Sequence, residues 1–253
     1  MDIVIIGSGN TAAVLGRKFK QAGHIILQIL SRNASAATQL AYEWDTESAN
    51  YISLLNKNAD VYIIAVSDNA VAEIAADLRL PGKVVAHTAA AVPADVLKPV
   101  TAHYGVFYPL QSLRKEMSTL PDIPVYVDGH DKTAKQKLEQ LAFSISYYPP
   151  VPAGDEQRLK LHVAAVIVNN FVNHLLALAE EYCKKEGIAF NQLLPLIDET
   201  ISRIKEVSPK QAQTGPAIRH DEATIQKHLA ILSAHPELKN IYLLLTSSIQ
   251  QES

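Results

Sequence analysis

The stretch Ile6-Gly7-Ser8-Gly9-Asn10-Thr11-Ala12 follows an apolar, β-branched run and precedes a helical pattern. A G-x-G-x-x-A turn in this position predicts a dinucleotide-binding site, and the alternative is a tight turn without a ligand. Gly7 permits the tight turn, Gly9 lets the backbone approach a pyrophosphate, and Ala12 keeps the helix close to the sheet. The N–H groups at the start of the helix face the phosphates. We therefore predict a dinucleotide site at this turn.

Strand-like and helix-like segments alternate along the N-terminal part of the chain. Apolar strands separated by helices are typical of a parallel sheet that is buried on both faces. The sequence thus predicts an α/β fold of the Rossmann type, with a doubly wound, mostly parallel sheet. Strands are predicted at 2–6, 25–30, 59–66, 84–87 and 101–106, and helices at 10–22, 34–42 and 68–78. Residues 124–127 and 146–148 could add strands at the sheet edge, with a helix at 133–142 between them.

The pattern changes after Pro149-Pro150-Val151-Pro152, and only helical periodicities follow. One long helix is predicted at 155–186, a second at 191–206, and two more after Asp221 and Pro236. We place a domain boundary near residue 150. Residues 1–150 then form a Rossmann-like dinucleotide-binding domain, and residues 151–253 form an all-helical C-terminal domain.

The end of the second strand indicates which dinucleotide is bound. A carboxylate there would hold the ribose 2′-hydroxyl of NAD, but this chain has Ser31-Arg32-Asn33 and no acid. Arg32 can stack on adenine and pair with a 2′-phosphate, and its two neighbours can donate hydrogen bonds to that group. The alternative for Arg32 is a solvated arginine in a loop. The sequence therefore favours NADP over NAD.

Polar residues also close the third and fourth strands, in Val66-Ser67-Asp68 and His87-Thr88. The carboxyl ends of the strands lie along the cofactor crevice in a doubly wound sheet. Asp68 is expected to cap the next helix. His87 and Thr88 either touch the nicotinamide half or form a satisfied pair at the strand end. The predicted cofactor-binding residues are Gly7, Ser8, Gly9, Asn10, Thr11, Ser31, Arg32, Asn33, Val66, Ser67, His87 and Thr88.

The long C-terminal helix carries a second candidate group. His162, Val166, Asn169 and Asn173 have the i, i+4, i+7, i+11 spacing that places residues on one stripe of a regular helix. Their neighbours are mostly apolar, so we expect this helix to be buried and its polar groups to need partners. Another helix or a second subunit could supply them. Alternatively the stripe faces the crevice, where His162 donates a proton and Asn169 or Asn173 orients a carbonyl or imine.

A third candidate lies on the turn after Gly215-Pro216, which breaks the chain. Asp221 is expected to cap a helix that starts at residue 222. Arg219 on this turn either pairs with an acid of the protein or holds a substrate carboxylate by a two-pronged contact. The predicted catalytic residues are His162, Asn169, Asn173 and Arg219.

Composition and charge argue against several classes of protein. The 253 residues carry a net charge of −3 and their 23 Lys and Arg never cluster, so no nucleic-acid partner is expected. The single cysteine, Cys183, excludes a disulfide framework within the chain, and we expect no metal site. The apolar run at 163–179 is interrupted by polar side chains, so we expect no membrane span. A strand opens the chain without a signal sequence, which predicts a cytoplasmic location.

The chain resembles a bacterial family of NADP oxidoreductases in which a Rossmann-like domain precedes a helical domain of unknown function. The likeness spans nearly the whole chain. Besides the glycine turn and Ser31-Arg32-Asn33, it rests on His103-Tyr104-Gly105-Val106-Phe107-Tyr108-Pro109-Leu110-Gln111, Leu161-His162-Val163-Ala164-Ala165, Asn169-Asn170-Phe171 and Thr214-Gly215-Pro216-Ala217-Ile218-Arg219. More distantly, the layout is similar to pyrroline-5-carboxylate reductase and the β-hydroxyacid dehydrogenases. The resemblance implies NADP binding, a cleft between the domains and a homodimer formed through the helical domain.

Two departures from these families bear on activity. The β-hydroxyacid dehydrogenases place a lysine four residues before an asparagine, where this chain has Ala165 before Asn169 and Val166 before Asn170. Relatives often carry Ser-Gly where it has Ala89-Ala90. We predict an NADP-dependent oxidoreductase that transfers hydride to or from a small carbonyl or imine, with its substrate unidentified. The alternative is a non-catalytic NADP-binding sensor or regulatory module.

Overall fold

The computed structural model of the protein describes residues 1–251. Eight strands, numbered β1 to β8 along the chain, form one sheet in its N-terminal part. They span Asp2–Ile6, Ile25–Leu30, Glu47–Ala49, Val61–Ile64, Val84–His87, His103–Pro109, Val125–Gly129 and Val151–Pro152. Their order across the sheet is β3-β2-β1-β4-β5-β6-β7-β8, and only β6 and β7 run antiparallel to each other. The strands β2 and β3 lie on one side of β1, and the chain then crosses to β4 on the other side of β1. This reversal of strand order is the predicted doubly wound arrangement.

Ten α-helices occur within residues 1–251, four of them between the strands and the others after β8. They are α1 (Asn10–Gln21), α2 (Ala34–Trp44), α3 (Asp68–Asp77), α4 (Lys132–Ile145), α5 (Asp155–Ala165), α6 (Val172–Lys185), α7 (Leu194–Arg203), α8 (Pro209–Ala212), α9 (Glu222–Ile231) and α10 (Pro236–Gln251). A π-helical segment, Val166–Phe171, joins α5 to α6. After β8, all regular structure within residues 1–251 is helical. The predicted fold class, a Rossmann-type sheet followed by a helical C-terminal part, is confirmed.

Apolar side chains fill both faces of the sheet, because its inner strands are nearly continuous apolar runs. Ile3 and Ile5 of β1 belong to the layer that also holds buried side chains of α1, α2 and α4. Val4 and Ile6, which alternate with them, belong to the layer that holds Ala75 of α3. Burial on both faces is what a parallel sheet with crossover helices requires. The sheet therefore gives its carboxyl edge a rigid support.

The contact between α1 and α2 depends on one small residue. Trp44, the single tryptophan of the chain, is buried at the end of α2. Its ring lies against Gly16 of α1, where a Cβ would be 2.3 Å from the Cζ2 atom. Only glycine at this position lets the two helices approach so closely.

The structure differs from the sequence prediction at the sheet edges. The strand β3 was not predicted, because Glu47-Ser48-Ala49 has no apolar pattern, yet it pairs with β2 from Gln28 to Leu30. Residues 146–148 do not form the predicted edge strand, since Ser146 ends α4 and the strand β8 follows later. The predicted strand at 59–66 is shorter, at Val61–Ile64, and the strand predicted at 101–106 runs from His103 to Pro109.

Two compact units make up the chain, Met1–Asn169 and Asn170–Ser253. The first contains the sheet and α1 to α5, and the second contains α6 to α10. The division falls inside the π-helical segment. The domain boundary that the sequence places near residue 150 stays a prediction.

The long helix formed by α5, the π-helical segment and α6 is exposed, so the predicted burial of this helix is wrong for the single chain. Its exposed apolar side chains include Val163, Ile167, Val168 and Phe171. By length and composition the helix could cross a membrane, although the polar side chains within it predicted otherwise. One such helix is weak evidence for a span, since a helix that packs against another protein meets the same test. The absence of a membrane partner stays a prediction.

Candidate functional site

Gly7 connects β1 to α1 in a conformation that favours glycine. Its φ is +125°, and a Cβ at this position would lie 2.0 Å from the carbonyl oxygen of Ala65. The Gly7 N–H donates to the carbonyl oxygen of Leu30 at 2.8 Å. The turn is thus tied to the ends of both strands that flank β1, as the glycine pattern predicts.

Gly9 leaves open space at the start of α1. A Cβ on Gly9 would meet no heavy atom within 4 Å, and within the described chain α1 has neither a side-chain cap nor an acid in its first turn. The first N–H groups of a helix lack intrahelical partners and attract anions. The Asn10 side-chain oxygen accepts a hydrogen bond from the Lys115 N–H at 3.2 Å, which ties the loop after β6 to this turn. The geometry fits a diphosphate group.

A cavity of about 810 Å³ opens above the glycine turn. This volume lies within the range of about 300–1,000 Å³ that is usual for ligand pockets. Ten of the predicted cofactor residues line it: Gly7, Ser8, Gly9, Asn10, Thr11, Ser31, Arg32, Asn33, Val66 and Ser67. The sequence analysis did not predict several other residues that line the cavity. These include Asn50, Tyr51 and Ile52 and, on α3, Ala70, Glu73, Ile74 and Asp77. His87 and Thr88 are not among the lining residues.

Arg32 lines this cavity with an exposed side chain that is paired in the structure. Its Nη1 atom lies 3.1 and 3.2 Å from the two carboxylate oxygens of Glu73 on α3. The side chains of Arg32 and Glu73 are 76% and 64% exposed. Neither sequence alternative for Arg32 included this pairing. A phosphate that binds the Arg32 guanidinium must compete with the Glu73 carboxylate.

The two neighbours of Arg32 have structural roles that leave hydrogen-bond donors available. The Ser31 hydroxyl lies 2.8 Å from the Ser8 hydroxyl and accepts from the Asn33 N–H at 3.2 Å. The Asn33 side-chain oxygen caps α2 by accepting from the Ala36 N–H at 3.0 Å. Because the cap uses only the oxygen, the amide N–H groups of Asn33 can still donate to a ligand.

His87 ends β5 with a buried ring. Its Nδ1 accepts from the Ala89 N–H at 3.2 Å, so Nε2 carries the proton and donates to the Pro93 carbonyl at 3.3 Å. Burial of the ring lowers the pKa of His87 to about 4. Both ring nitrogens therefore serve the loop that follows β5. A contact of His87 with the cofactor stays a prediction, as does one of Thr88, whose N–H donates to the Ile64 carbonyl.

The start of α3 corrects one capping prediction. Ser67 occupies the N-cap position of α3, and Asp68 is the first helical residue. The prediction that Asp68 is the cap is therefore wrong by one position. The Asp68 carboxylate still lies at the positive end of the helix dipole, where a negative charge is stabilised.

An arginine that sequence reading missed closes the loop at 88–94. Arg158 on α5 is 1% exposed, and its guanidinium donates to the carbonyl oxygens of Ala90 at 3.1 Å and Val92 at 2.7 Å. It also pairs with Asp155 at 2.6 Å, and Asp155 accepts from the Ala94 N–H at 3.1 Å. The buried Arg158 guanidinium and the half-exposed Asp155 carboxylate thus hold this loop to the start of α5. The available signal was the i, i+3 spacing of an aspartate and an arginine.

His162 contacts a tyrosine at the carboxyl end of β6, which sequence reading also missed as a site residue. The Tyr108 hydroxyl lies 3.1 Å from His162 Nδ1, and the two rings meet edge to face at 6.3 Å between centroids. Burial raises the pKa of the Tyr108 phenol, and the Asp68 carboxylate raises it further. The tract 103–111 contains Tyr108, but nothing local in it identifies the partner.

The other predicted catalytic residues do not lie on one regular stripe with His162. The helix is π-helical from Val166 to Phe171, and one extra residue in a turn rotates the following face by about 100°. The prediction of a continuous stripe through Asn169 and Asn173 is therefore wrong. Both asparagines are exposed, and so is Arg219.

The turn before α9 agrees with its sequence prediction. Asp221 is the N-cap of α9 and accepts from the Thr224 N–H at 3.1 Å. Arg219 precedes this cap by two residues, on an ordered turn of the second unit. Its predicted role toward a substrate stays a prediction.

The sheet order, the glycine turn and the cavity define a dinucleotide-binding protein of the Rossmann type. Two family models match the chain: "NADP oxidoreductase coenzyme F420-dependent" at residues 2–91, and "Domain of unknown function (DUF2520)" at residues 123–249. The chain belongs to the family that joins this NADP oxidoreductase domain to a DUF2520 domain. Among curated protein sequences none matches the chain.

Solved structures support this assignment. A candidate NADP oxidoreductase from Bacteroides fragilis is 38% identical, with a TM-score of 0.90, over 99% of this chain and 98% of that chain. A protein from Thermotoga maritima is 21% identical, with a TM-score of 0.76, over 97% and 99%. A reductive aminase from Aspergillus terreus in complex with NADPH and ethyl levulinate is 16% identical, with a TM-score of 0.71, over 99% and 92%. The last two share the fold with this chain.

The cofactor of this family is NADP, as the sequence predicts. The residues of the site fit this cofactor. Open space at Gly9 and the free N–H groups at the start of α1 suit the diphosphate. Arg32, with Ser31 and Asn33 beside it, offers the cationic and hydrogen-bonding groups that a 2′-phosphate needs.

Proposed function

We propose that this protein is an NADP-dependent oxidoreductase that transfers hydride to or from a small carbonyl or imine compound. The observation that carries the proposal is the cavity above the glycine turn, which Arg32 lines with its guanidinium. The family supports the oxidoreductase class and the cofactor. NADPH supplies the hydride when it is bound.

The fold relatives favour a carbon–oxygen or carbon–nitrogen double bond as the reacting group. One is the reductive aminase that holds NADPH and ethyl levulinate. Another is a pyrroline-5-carboxylate reductase from Coxiella burnetii, at 15% identity and a TM-score of 0.61. These likenesses concern the fold, so the choice of a small carbonyl or imine for this chain is part of our proposal.

In this proposal His162 exchanges a proton with the substrate, because imidazole can give or take a proton near neutral pH. Asn169 and Asn173 orient the carbonyl or imine, and Arg219 holds a carboxylate where the substrate has one. The replacement His162→Gln should lower turnover strongly and leave NADPH affinity unchanged. An equal loss of both would exclude the proton-transfer role.

Thermal unfolding tests the cofactor part of the proposal directly. NADPH at about 100 times its dissociation constant stabilises by about 2.7 kcal/mol, which raises Tm by about 5–10 °C in a protein of this size. We expect this shift with NADPH and a smaller one with NADH. Arg32→Ala should remove the difference between the two cofactors. Arg203→Ala is the matched control, since Arg203 also pairs with an exposed glutamate, Glu199. Equal shifts with both cofactors in the wild type would contradict the role of Arg32.

A second candidate function is an NADP-binding sensor without catalysis. The loop after β5 favours it, because Ala89 and Ala90 are buried and Arg158 occupies the Ala90 carbonyl. A sensor binds NADPH tightly and oxidises it with no member of a carbonyl and imine panel. NADPH oxidation that depends on His162 would support the enzyme instead.

We also propose that the chain is a homodimer through its helical part, that its substrate is a small molecule and that it acts in the cytoplasm. The exposed apolar side chains of the long helix support the dimer, since a stripe that includes Val168 and Phe171 is costly to leave in water. Light scattering should give twice the mass of 27.7 kDa. The replacement Val168→Glu should give a monomer, whereas Glu180→Gln, a change at an exposed polar position, should not. A wild-type monomer would contradict this proposal.

A further inference from the structure

Tyr108 lies where the carboxyl end of β6 extends past its neighbour. The pairing of β5 with β6 ends at His87 and Val106, so Tyr108 stands two residues beyond it on β6. Its buried ring contacts those of His162, at 6.3 Å, and Tyr126 of β7, at 6.5 Å between centroids. Burial and these two ring contacts restrict the position of the Tyr108 hydroxyl.

The histidine that this hydroxyl meets lies on a well-anchored helix. Arg158, one turn before His162 on α5, is buried and bonded to the loop carbonyls of Ala90 and Val92. The backbone of α5 is thereby fixed relative to the sheet. The remaining freedom of His162 is the rotation of its ring and the choice of which nitrogen carries the proton.

The Tyr108 hydroxyl restricts that freedom. Its oxygen lies 3.1 Å from Nδ1 of His162. Across residues 1–251, the structure shows no other hydrogen bond for this hydroxyl or for Nε2 of His162. A hydroxyl both donates and accepts, so it can bond Nδ1 of a neutral or a protonated imidazole. Because burial raises the pKa of Tyr108, the hydroxyl keeps its own proton at neutral pH.

We propose that Tyr108 is a positioning residue that binds Nδ1 of His162 and leaves Nε2 as the atom that exchanges a proton with the substrate. In the neutral ring we assign the Tyr108 O–H as the donor to Nδ1, because a phenol is a better donor than acceptor and an unprotonated imidazole nitrogen is a good acceptor, so the ring proton is on Nε2. In the protonated ring Nδ1–H donates to the Tyr108 oxygen, and Nε2 again carries a proton. The role of Nε2 toward a substrate rests on the proposed function, whereas the tautomer of His162 does not depend on it.

Tyr108 is not consumed in the proposed proton transfer, which takes place between His162 and the substrate. In the reductive direction, hydride from NADPH adds to the carbon of a C=O or C=N group, and the π electrons move to the oxygen or nitrogen. That atom takes the proton from Nε2 of protonated His162, while the electron pair of the N–H bond stays on the ring. The imidazole becomes neutral, NADPH becomes NADP⁺, and Tyr108 only holds the ring.

The tautomer of His162 gives a test that needs no substrate. Long-range proton–nitrogen NMR of the ¹⁵N-labelled full chain, above the pH at which its histidines are charged, reports which ring nitrogen carries the proton. We expect an unprotonated Nδ1 in the wild type and a mixture of tautomers in Tyr108→Phe, which keeps the ring. Tyr242→Phe is the matched control, because Tyr242 lies 2.9 Å from Nδ1 of His228 in the second unit. It should change His228 and leave His162 as it is.

A protonated Nδ1 in neutral wild-type His162, or the same tautomer in Tyr108→Phe, would overturn the inference. Once a substrate is found, Tyr108→Phe should lower kcat by about 10- to 100-fold and leave the NADPH dissociation constant unchanged. A parallel loss of NADPH affinity would mean a merely structural role and would also overturn it. If NADPH binds but no carbonyl or imine is turned over, the proposed function fails, and the NMR result still decides the role of Tyr108.

Discussion

The two ends of the carboxyl edge of the sheet are built differently. At the β1–β2 end, backbone groups of the glycine turn and exposed side chains such as Arg32 and Glu73 surround an open cavity. At the β5–β6 end, buried side chains close a loop over the strand, with Arg158 and His87 bonded to its backbone. The first end is suited to receive a ligand from solvent, while the second keeps a fixed geometry. An open cavity and a closed, bonded loop thus occupy different parts of one sheet edge.

The largest effect is expected at the closed end, from removing its buried charge. Arg158→Met should lower the free energy of unfolding by about 3–5 kcal/mol, because the carbonyl oxygens of Ala90 and Val92 lose their donor and Asp155 loses one of its partners, at about 1–3 kcal/mol for each group left unsatisfied. Urea unfolding measures this loss. Lys160→Met is the matched control on the same helix, since Lys160 is exposed and its one ion pair among residues 1–251 is with Glu156. Its effect should stay within about 0.5 kcal/mol. A similar loss of stability in both variants would mean that the contacts of Arg158 do not stabilise the closed end.

The next largest loss of stability is expected in acid, where His87 at the closed end becomes protonated. The pKa of His87 is about 4 in the folded protein and about 6.5 in an unfolded chain. The unfolded state therefore binds the proton first, and stability is complete above about pH 6.5 and falls as the pH drops toward 4. This one group accounts for a loss of about 3 kcal/mol, at about 1.4 kcal/mol per pKa unit. The pH dependence of urea unfolding should flatten in this window in His87→Asn and stay unchanged in His174→Asn, which alters an exposed histidine.

At the open end, replacing Gly7 should affect mainly the stability of the fold, and replacing Gly9 should affect mainly cofactor binding. Gly7→Ala should destabilise the protein by about 1–3 kcal/mol, because of its positive φ and the clash with the Ala65 carbonyl. Gly9→Ala should fold like the wild type, since its Cβ meets nothing, but it should weaken NADPH binding by about tenfold because the methyl group enters the space of the diphosphate. Thermal unfolding and NADPH titration measure the two effects. Normal NADPH affinity in Gly9→Ala would place the diphosphate elsewhere.

The smallest effect is expected from the pair that faces the cavity. Glu73→Gln removes the carboxylate that competes for Arg32, so NADPH affinity should rise by about two- to tenfold, while NADH affinity changes little. Both affinities can be measured by fluorescence titration. Asp77→Asn is the control, because Asp77 lines the same cavity but shows no bond to Arg32 within the described residues. A gain for NADH as large as that for NADPH would mean a general charge effect.

The same contrast explains what could be predicted from the sequence. The turn at Gly7, the Asn33 segment after β2 and the strand β5 follow from residues that are adjacent in the chain. The role of Arg158 depends on carbonyl groups 66 and 68 positions away, and Tyr108 lies 54 positions from His162. No local pattern contains those distances. The glycine turn of the open end could therefore be predicted from the sequence, whereas the contacts of Arg158 and Tyr108 at the closed end could not.

Two further misses have local causes of another kind. The strand β3 consists of Glu47-Ser48-Ala49, whose pairing comes from its place beside β2 and not from its own pattern. The π-helical segment breaks the regular period on which the stripe through Asn169 rested. Spacing arguments assume one helical period throughout, and a single wider turn defeats them.

The buried indole of Trp44 against Gly16 also makes the protein its own optical probe. Because the chain has a single tryptophan, its indole emission arises from the cofactor-binding unit alone. Reduced nicotinamide absorbs at the wavelengths where indole emits, so a bound NADPH would quench this light by energy transfer. Unfolding of the first unit and NADPH binding in its cavity could thus be followed in one sample without a label. The second unit contains no tryptophan and contributes no indole emission.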